Sequence, residues 1–343
     1  MIPSPGEILL AFEKSLPKHI FEKIMERMQE VGKSRQVEYF SKLSKEFDLI
    51  EFDVRTTKNE ATGATSELWA MKAKKDLPEY EEVFFEKPDV AVPTVSGLSI
   101  GTITEDMFGA WDKLLQVGKA SLPKDLNAKD IILDYCKKTG NSALLMLFRY
   151  ISIILLIEMD QAEQQIPNGL VNPMFANFLS NYDHLRPAMR TPNDADNKEA
   201  EILRSIFKKV NTQIGDFLTN EIFVAMKYTL LFNSYGFPAL EGNEEKKDGV
   251  EGKSEKGEYL RVGGLSGNCH WFGIYHVAAH IDHAFVGNVV VEPTEDCCIR
   301  IKTTRPIKKG EYLTTSYLNQ ADTINSDKRQ LLLLQHFGIF NTI

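Results

Sequence analysis

The sequence predicts an α+β fold in which one β domain is interrupted by a long run of helices. Three observations carry this. Apolar residues alternate at period two over residues 50–56 and 82–92 and again beyond residue 288, as in half-buried strands. From about residue 104 to 235 they recur instead at three- and four-residue spacings, as in helices. Neither β stretch is long enough for a sheet domain of its own and no internal repeat occurs, so one domain built from two segments is the economical solution.

In chain order, residues 1–47 form a helical extension, with apolar Ile8, Leu9, Phe12, Leu16, Ile20, Ile24 and Met28 and a break at Pro17. Residues 48–97 hold the first β part: a strand at 50–56, a loop at 58–67, a strand at 68–74, a turn at 76–79 and one strand at 82–92 ended by Pro93. Residues 98–219 form the helical insertion, with a polar, proline-bearing loop at 186–197. Residues 220–343 return to β structure, with strands at 288–293, 297–304 and 311–318 and a closing helix at 327–337. Within this part the stretch 241–258 has Val250 as its single large apolar residue, which predicts a solvated, mobile loop.

A chain of 343 residues, 43% hydrophobic and 26% charged, can bury a substantial core and has a globular composition. The net charge of −8 argues against a phosphate-binding surface, so no nucleic acid is expected, and it fits a partner with basic segments. Cys136, Cys269, Cys297 and Cys298 are too few and too irregular for a disulfide framework, and no CxxC signals a zinc knot. The first residues carry scattered charges rather than an apolar signal core, and the greasiest stretch, 143–157, contains Arg149 and is too short to span a bilayer. A protein of the nucleus or cytoplasm, free of the membrane, is expected.

Residues 273–291 (GIYHVAAHIDHAFVGNVVV) and 299–319 (IRIKTTRPIKKGEYLTTSYLN), followed by KRQLLLLQHFGI, form an ordered series. Earlier pieces belong to it: LWAMKAKKDLPEYEEVFFEKPDVAVP at 68–93 and Phe232-Asn233-Ser234-Tyr235. Together they resemble the SET domain of S-adenosylmethionine-dependent protein-lysine methyltransferases, nearest the SET-and-MYND type and its fungal relatives. The resemblance covers about 50–93 and 220–340. It implies a SET-type β fold assembled from two segments, methyl transfer from S-adenosylmethionine, and a protein or peptide partner bearing a lysine. Such transfer requires the amine and the methyl donor to be held in line.

By the same resemblance Tyr317 falls on the catalytic tyrosine, and Tyr275 is a candidate second wall of a lysine channel. Asp282 and His283 stand where the family has Asn-His. There the asparagine contacts the amino-acid end of the cofactor, while the histidine backbone lies on the adenine. Trp69 and Ala70 follow the position of the family's Gly-x-Gly, with Gly63 nearby as the glycine able to bring backbone to the cofactor. The chain departs from the family at three places. Thr65-Ser66-Glu67 replaces Gly-x-Gly, Asp282 replaces the asparagine, and the cysteines of the MYND module and of the segment after the SET domain are missing. These departures keep an alternative open, a catalytically degenerate SET-derived protein that binds a peptide or protein or serves a structural role.

No metal is expected. The competing pattern is His276, His280 and His283, whose spacings of four and three would share a helix face, with Cys269 and His270 close by. The glutamate of a His-Glu-x-x-His zinc site is missing, because Val277-Ala278 follows the first histidine.

Overall fold

The computed structural model describes residues 33–58, 65–94, 105–117, 127–165, 185–186, 192–210, 212–237, 260–261, 271–294 and 297–318. Most of the N-terminal extension, Gly63, the 241–258 loop and the 327–337 helix lie outside these residues. The architecture is mixed α+β, with several small sheets and a block of helices between the β segments.

β1 (Ile50–Lys58) and β2 (Thr65–Ala73) pair antiparallel, from Ile50↔Ala73 to Lys58↔Thr65. Both run further into the polar stretch between them than alternation predicts, because backbone pairing continues to Thr57↔Ser66 and Lys58↔Thr65. The single strand expected at 82–92 is two strands. β3 (Glu82–Glu86) pairs with β10 (Ile299–Thr303), while β4 (Val90–Pro93) pairs with β7 (Trp271–Ile274). Pro88 lacks the N–H that a ladder needs, and the chain changes sheets there.

β9 (Val289–Pro293) completes the sheet β3-β10-β9, and β5 (Ser234–Phe237) and β6 (Leu260–Arg261) complete β4-β7-β5-β6. The short β8 (Asp282–His283) and β11 (Thr314–Thr315) run parallel.

Within the described part of the extension, residues 33–46 form helix α1, whose buried Phe40 stacks on Trp69 at 4.5 Å between ring centroids. The insertion supplies α2 (Gly109–Val117), α3 (Ala128–Thr139), α4 (Ala143–Gln165) and α5 (Asp194–Val210). They are followed by α6 (Thr212–Phe217) and α7 (Asn220–Phe232). α3 ends at Gly140, whose φ of 71° is the left-handed conformation that suits glycine. α5 begins within the predicted loop because the Asn193 side chain accepts from Asp196 N, at 2.9 Å, while the Asp196 carboxylate accepts from Asn193 N, at 3.1 Å. This is a reciprocal cap. Among the described residues no helix is long and apolar enough to cross a membrane.

Two cores meet at the sheet β4-β7-β5-β6. Val90, Val92, Phe272 and Ile274 on one face join the helical core with Trp111, Leu147 and Phe207. Tyr235 and Phe237, on the alternate positions, join the β core with Phe40, Met71 and Ile301.

Candidate functional site

Asp282, His283 and Tyr317 lie together where β8 and β11 pair in parallel. Gly287 is required there, because a Cβ would lie 2.7 Å from Thr314 O and from Thr315 Cα. The next residue, Asn288, clips the approaching segment. Its amide donates to Tyr312 O at 2.9 Å and its carbonyl accepts from Thr314 N at 2.8 Å. His283 Nδ1 accepts from Tyr317 N at 3.0 Å, which fixes the start of the Tyr317 side chain.

The turn before β8 is held from the opposite side. Half-buried Glu86, at the end of β3, accepts from Val277 N and Ala278 N, both at 2.8 Å. The Tyr235 hydroxyl donates to Ala278 O at 2.8 Å. So fixed, the turn presents the carbonyls of His280 and Ile281. The Tyr317 hydroxyl donates to Ile281 O at 2.5 Å.

Into this frame the helical insertion sends Arg186, only 7% exposed. Its Nη2 donates to Asp282 Oδ1 at 2.6 Å, His280 O at 3.0 Å and Trp69 O at 3.2 Å, and Nη1 donates to the Tyr317 hydroxyl at 3.3 Å. Nε is buried without an acceptor among the described residues. The backbone is pinned as well, since Arg186 N donates to Asn233 Oδ1 at 3.1 Å and Asn233 Nδ2 donates to Arg186 O at 2.7 Å. The second Asp282 oxygen accepts from Arg55 Nη1 at 2.8 Å. One carboxylate thus lies between two guanidinium groups. Burial pulls the Arg186 pKa down, but Tyr317 and Asp282 outweigh it and leave the pKa raised, so the group stays charged.

Tyr317, Asp282 and His283 therefore lie together, and Trp69 joins through its carbonyl. The Trp69 ring lies elsewhere, against Phe40. Ala70 is fully buried in β2 opposite Asp53. Gly63 lies outside the described residues. Glu67 is exposed and pairs with Lys33 at 3.6 Å.

Tyr275 needs correction. It is a fully buried core residue against Tyr235 and Phe237, and its hydroxyl donates to Cys297 O at 2.5 Å rather than facing a channel. Burial pushes its pKa well up.

The three histidines share no helix face, because residues 278–280 form one 3-10 turn and 282–283 a strand. His276 pairs with Asp89, and His280 Nδ1 contacts Trp69 O. Among the described residues no three potential metal ligands converge.

Arg186, Arg55, Glu86 and Asn288 are absent from the sequence-based site. Glu86 and Asn288 lie within the motif stretches 68–93 and 273–291, while Arg186 and Arg55 have no such local signal. Chemically the assembly is a cage of oxygen acceptors around a cation. No protein-family model matches the chain, and a search of curated proteins finds no match.

Proposed function

We propose that this chain is a SET-type protein whose methyl-transfer site is closed by its own Arg186, and that it works as a binding or structural module. The motif series along 50–93 and 220–340 supports the SET reading, as does a β framework drawn from both segments around a helical insertion. One observation carries the loss of transfer: the Arg186 guanidinium sits on the Tyr317 hydroxyl and the Asp282 carboxylate.

The residues assigned to S-adenosylmethionine do not fit it as folded. Both Asp282 oxygens are bonded to arginines, and the Trp69 carbonyl is bonded to Arg186. A cofactor ammonium that replaced Arg186 would have to displace a buried, hydrogen-bonded ion pair, whose disruption costs about 3–5 kcal/mol. Calorimetric titration of the purified protein with S-adenosylmethionine and S-adenosylhomocysteine tests this. No binding at millimolar ligand is expected. Micromolar binding, lost on Asp282→Ala, would overturn the closed-site reading.

Lysine methylation is the second reading. It is favoured by the Tyr317 hydroxyl, held at the Ile281 carbonyl and facing a cation. It requires cofactor binding and a methylated lysine product that Tyr317→Phe abolishes.

A further inference from the structure

We propose that Lys227 and Asp196 condense within the folded chain into an isopeptide bond, with Glu199 carrying the proton between them and one water leaving. The reaction lies in the helical core and is independent of the β8–β11 site.

Three helices bring the reactants together. Asp196 and Glu199 stand three positions apart on α5, on one helix face, and Lys227 reaches both from α7. Its Nζ lies 2.7 Å from Asp196 Oδ1 and 2.8 Å from Glu199 Oε2. The side chains of Lys227, Asp196 and Glu199 are 6%, 0% and 2% exposed, so the three groups are sealed from water together. Burial pulls the Lys227 pKa down, but Glu199 and Asp196 outweigh it, and the resting node is an ion pair. Without hydration, the neutral pair formed when the Lys227 proton crosses to Asp196 is far less disfavoured than in water. Condensation removes the buried charges altogether. Holding an amine against an acyl carbon in this way supplies effective molarities of about 10⁵–10⁸ M in well-oriented cases.

The two Asp196 oxygens have different surroundings. Oδ2 accepts from Asn193 N at 3.1 Å and from the Tyr228 hydroxyl at 3.3 Å, donors placed to hold the charge of a tetrahedral intermediate. Oδ1 faces the amine, with the Tyr228 hydroxyl at 3.4 Å, and is the leaving oxygen. Glu199 Oε1 accepts from the Tyr135 hydroxyl at 3.3 Å, while the buried Oε2 stands beside Nζ at an angle outside hydrogen-bond geometry. That uncommitted oxygen is the proton carrier. In the neutral pair the Nζ lone pair forms the bond to Cγ, and the carbonyl electrons move onto Oδ2. Glu199 takes one proton from the nitrogen and returns it to Oδ1. The Oδ2 electrons restore the carbonyl as Oδ1 leaves as water, which regenerates the Glu199 carboxylate and needs no other reactant. The retained oxygen still accepts from Asn193 N, so the cap of α5 survives.

The test is the intact mass of the purified full chain, measured after denaturation. The expected mass is one water below that of the sequence, with proteolysis yielding a branched peptide that joins Asp196 to Lys227. Lys227→Arg keeps the charge without the amine nucleophile, and Glu199→Gln keeps the shape without the proton carrier. Both are expected to retain the full sequence mass. A bare ion pair leaves the mass of the folded, unsubstituted chain unchanged after prolonged incubation at neutral pH, and that result overturns the proposal. So does a water loss that persists in Lys227→Arg, or one that maps to Asp248-Gly249, where a backbone succinimide gives the same change in mass. A branched peptide that forms equally in Glu199→Gln overturns the role given to Glu199.

Discussion

At the scale of single residues, Asp282 decides the charge balance of the site. Arg186 and Arg55 both bond to it, and Arg186 is the more deeply buried, its side chain 7% exposed against 21% for Arg55. Asp282→Asn keeps the shape but leaves the Arg186 charge facing neutral acceptors. A destabilisation of about 3–5 kcal/mol is expected by urea unfolding. Combining it with Arg186→Met, which removes the stranded charge, is expected to recover part of that loss, and simple additivity of the two changes would contradict the pairing. Asp282 was legible in the sequence because it lies within an ordered motif. Arg186 was not. It stands at the edge of a polar, proline-bearing stretch, a context that reads as solvated loop. Its partners lie 96 and 131 positions away, so no local pattern records them.

At the scale of elements, the site depends on how one short turn is anchored. Glu86 ends β3 and clamps the 277–278 backbone, joining the three-stranded sheet to the turn that carries the cage carbonyls. Burial pushes its pKa from 4.5 up to about 8. The two backbone N–H donors and His276 oppose that rise, while Asp89 adds to it. The folded protein therefore holds this proton where the unfolded chain has lost it. The contribution of Glu86 to stability is full below pH 4.5 and falls as pH rises through about 8. Urea unfolding at pH 6 and pH 8 is expected to show stability declining upward. Glu86→Gln should flatten that decline and also lower stability, since its amide turns a donor toward a backbone donor. An unchanged slope in the variant would sink this assignment. The clamp was hidden in the sequence because alternation runs through residues 82–92 as if they were one strand. Pro88 marks the break, but proline also sits at strand edges, so only the pairing of β3 and β4 with different partners shows that the chain changes sheets.

At the scale of the molecule, the helices and the β framework are coupled by a shared sheet rather than joined by a linker. The order of periodicities made the two-segment β framework legible, while the coupling came from side chains alternating across β4, β7 and β5 into different cores. The helical core contains its own polar node. Lys227 on α7 pairs with Asp196 at 2.7 Å and Glu199 at 2.8 Å on α5, and the Tyr135 hydroxyl on α3 reaches Glu199 at 3.3 Å. Burial raises the Glu199 pKa against the pull of Lys227, so the node is a tightly balanced tie among three helices. Arg186 adds a second tie, from the insertion to β2 and β8. With the sheet and these ties in common, neither core can unfold without stripping a face from the other. Leu147→Ala, in the helical core, and Ile301→Ala, in the β core, each create a cavity worth about 2–5 kcal/mol. Both are expected to shift one calorimetric transition to lower temperature, with calorimetric and van't Hoff enthalpies agreeing. Two transitions, one moved by each substitution, would show that the helical block folds as a unit of its own and that Arg186 bridges independent parts.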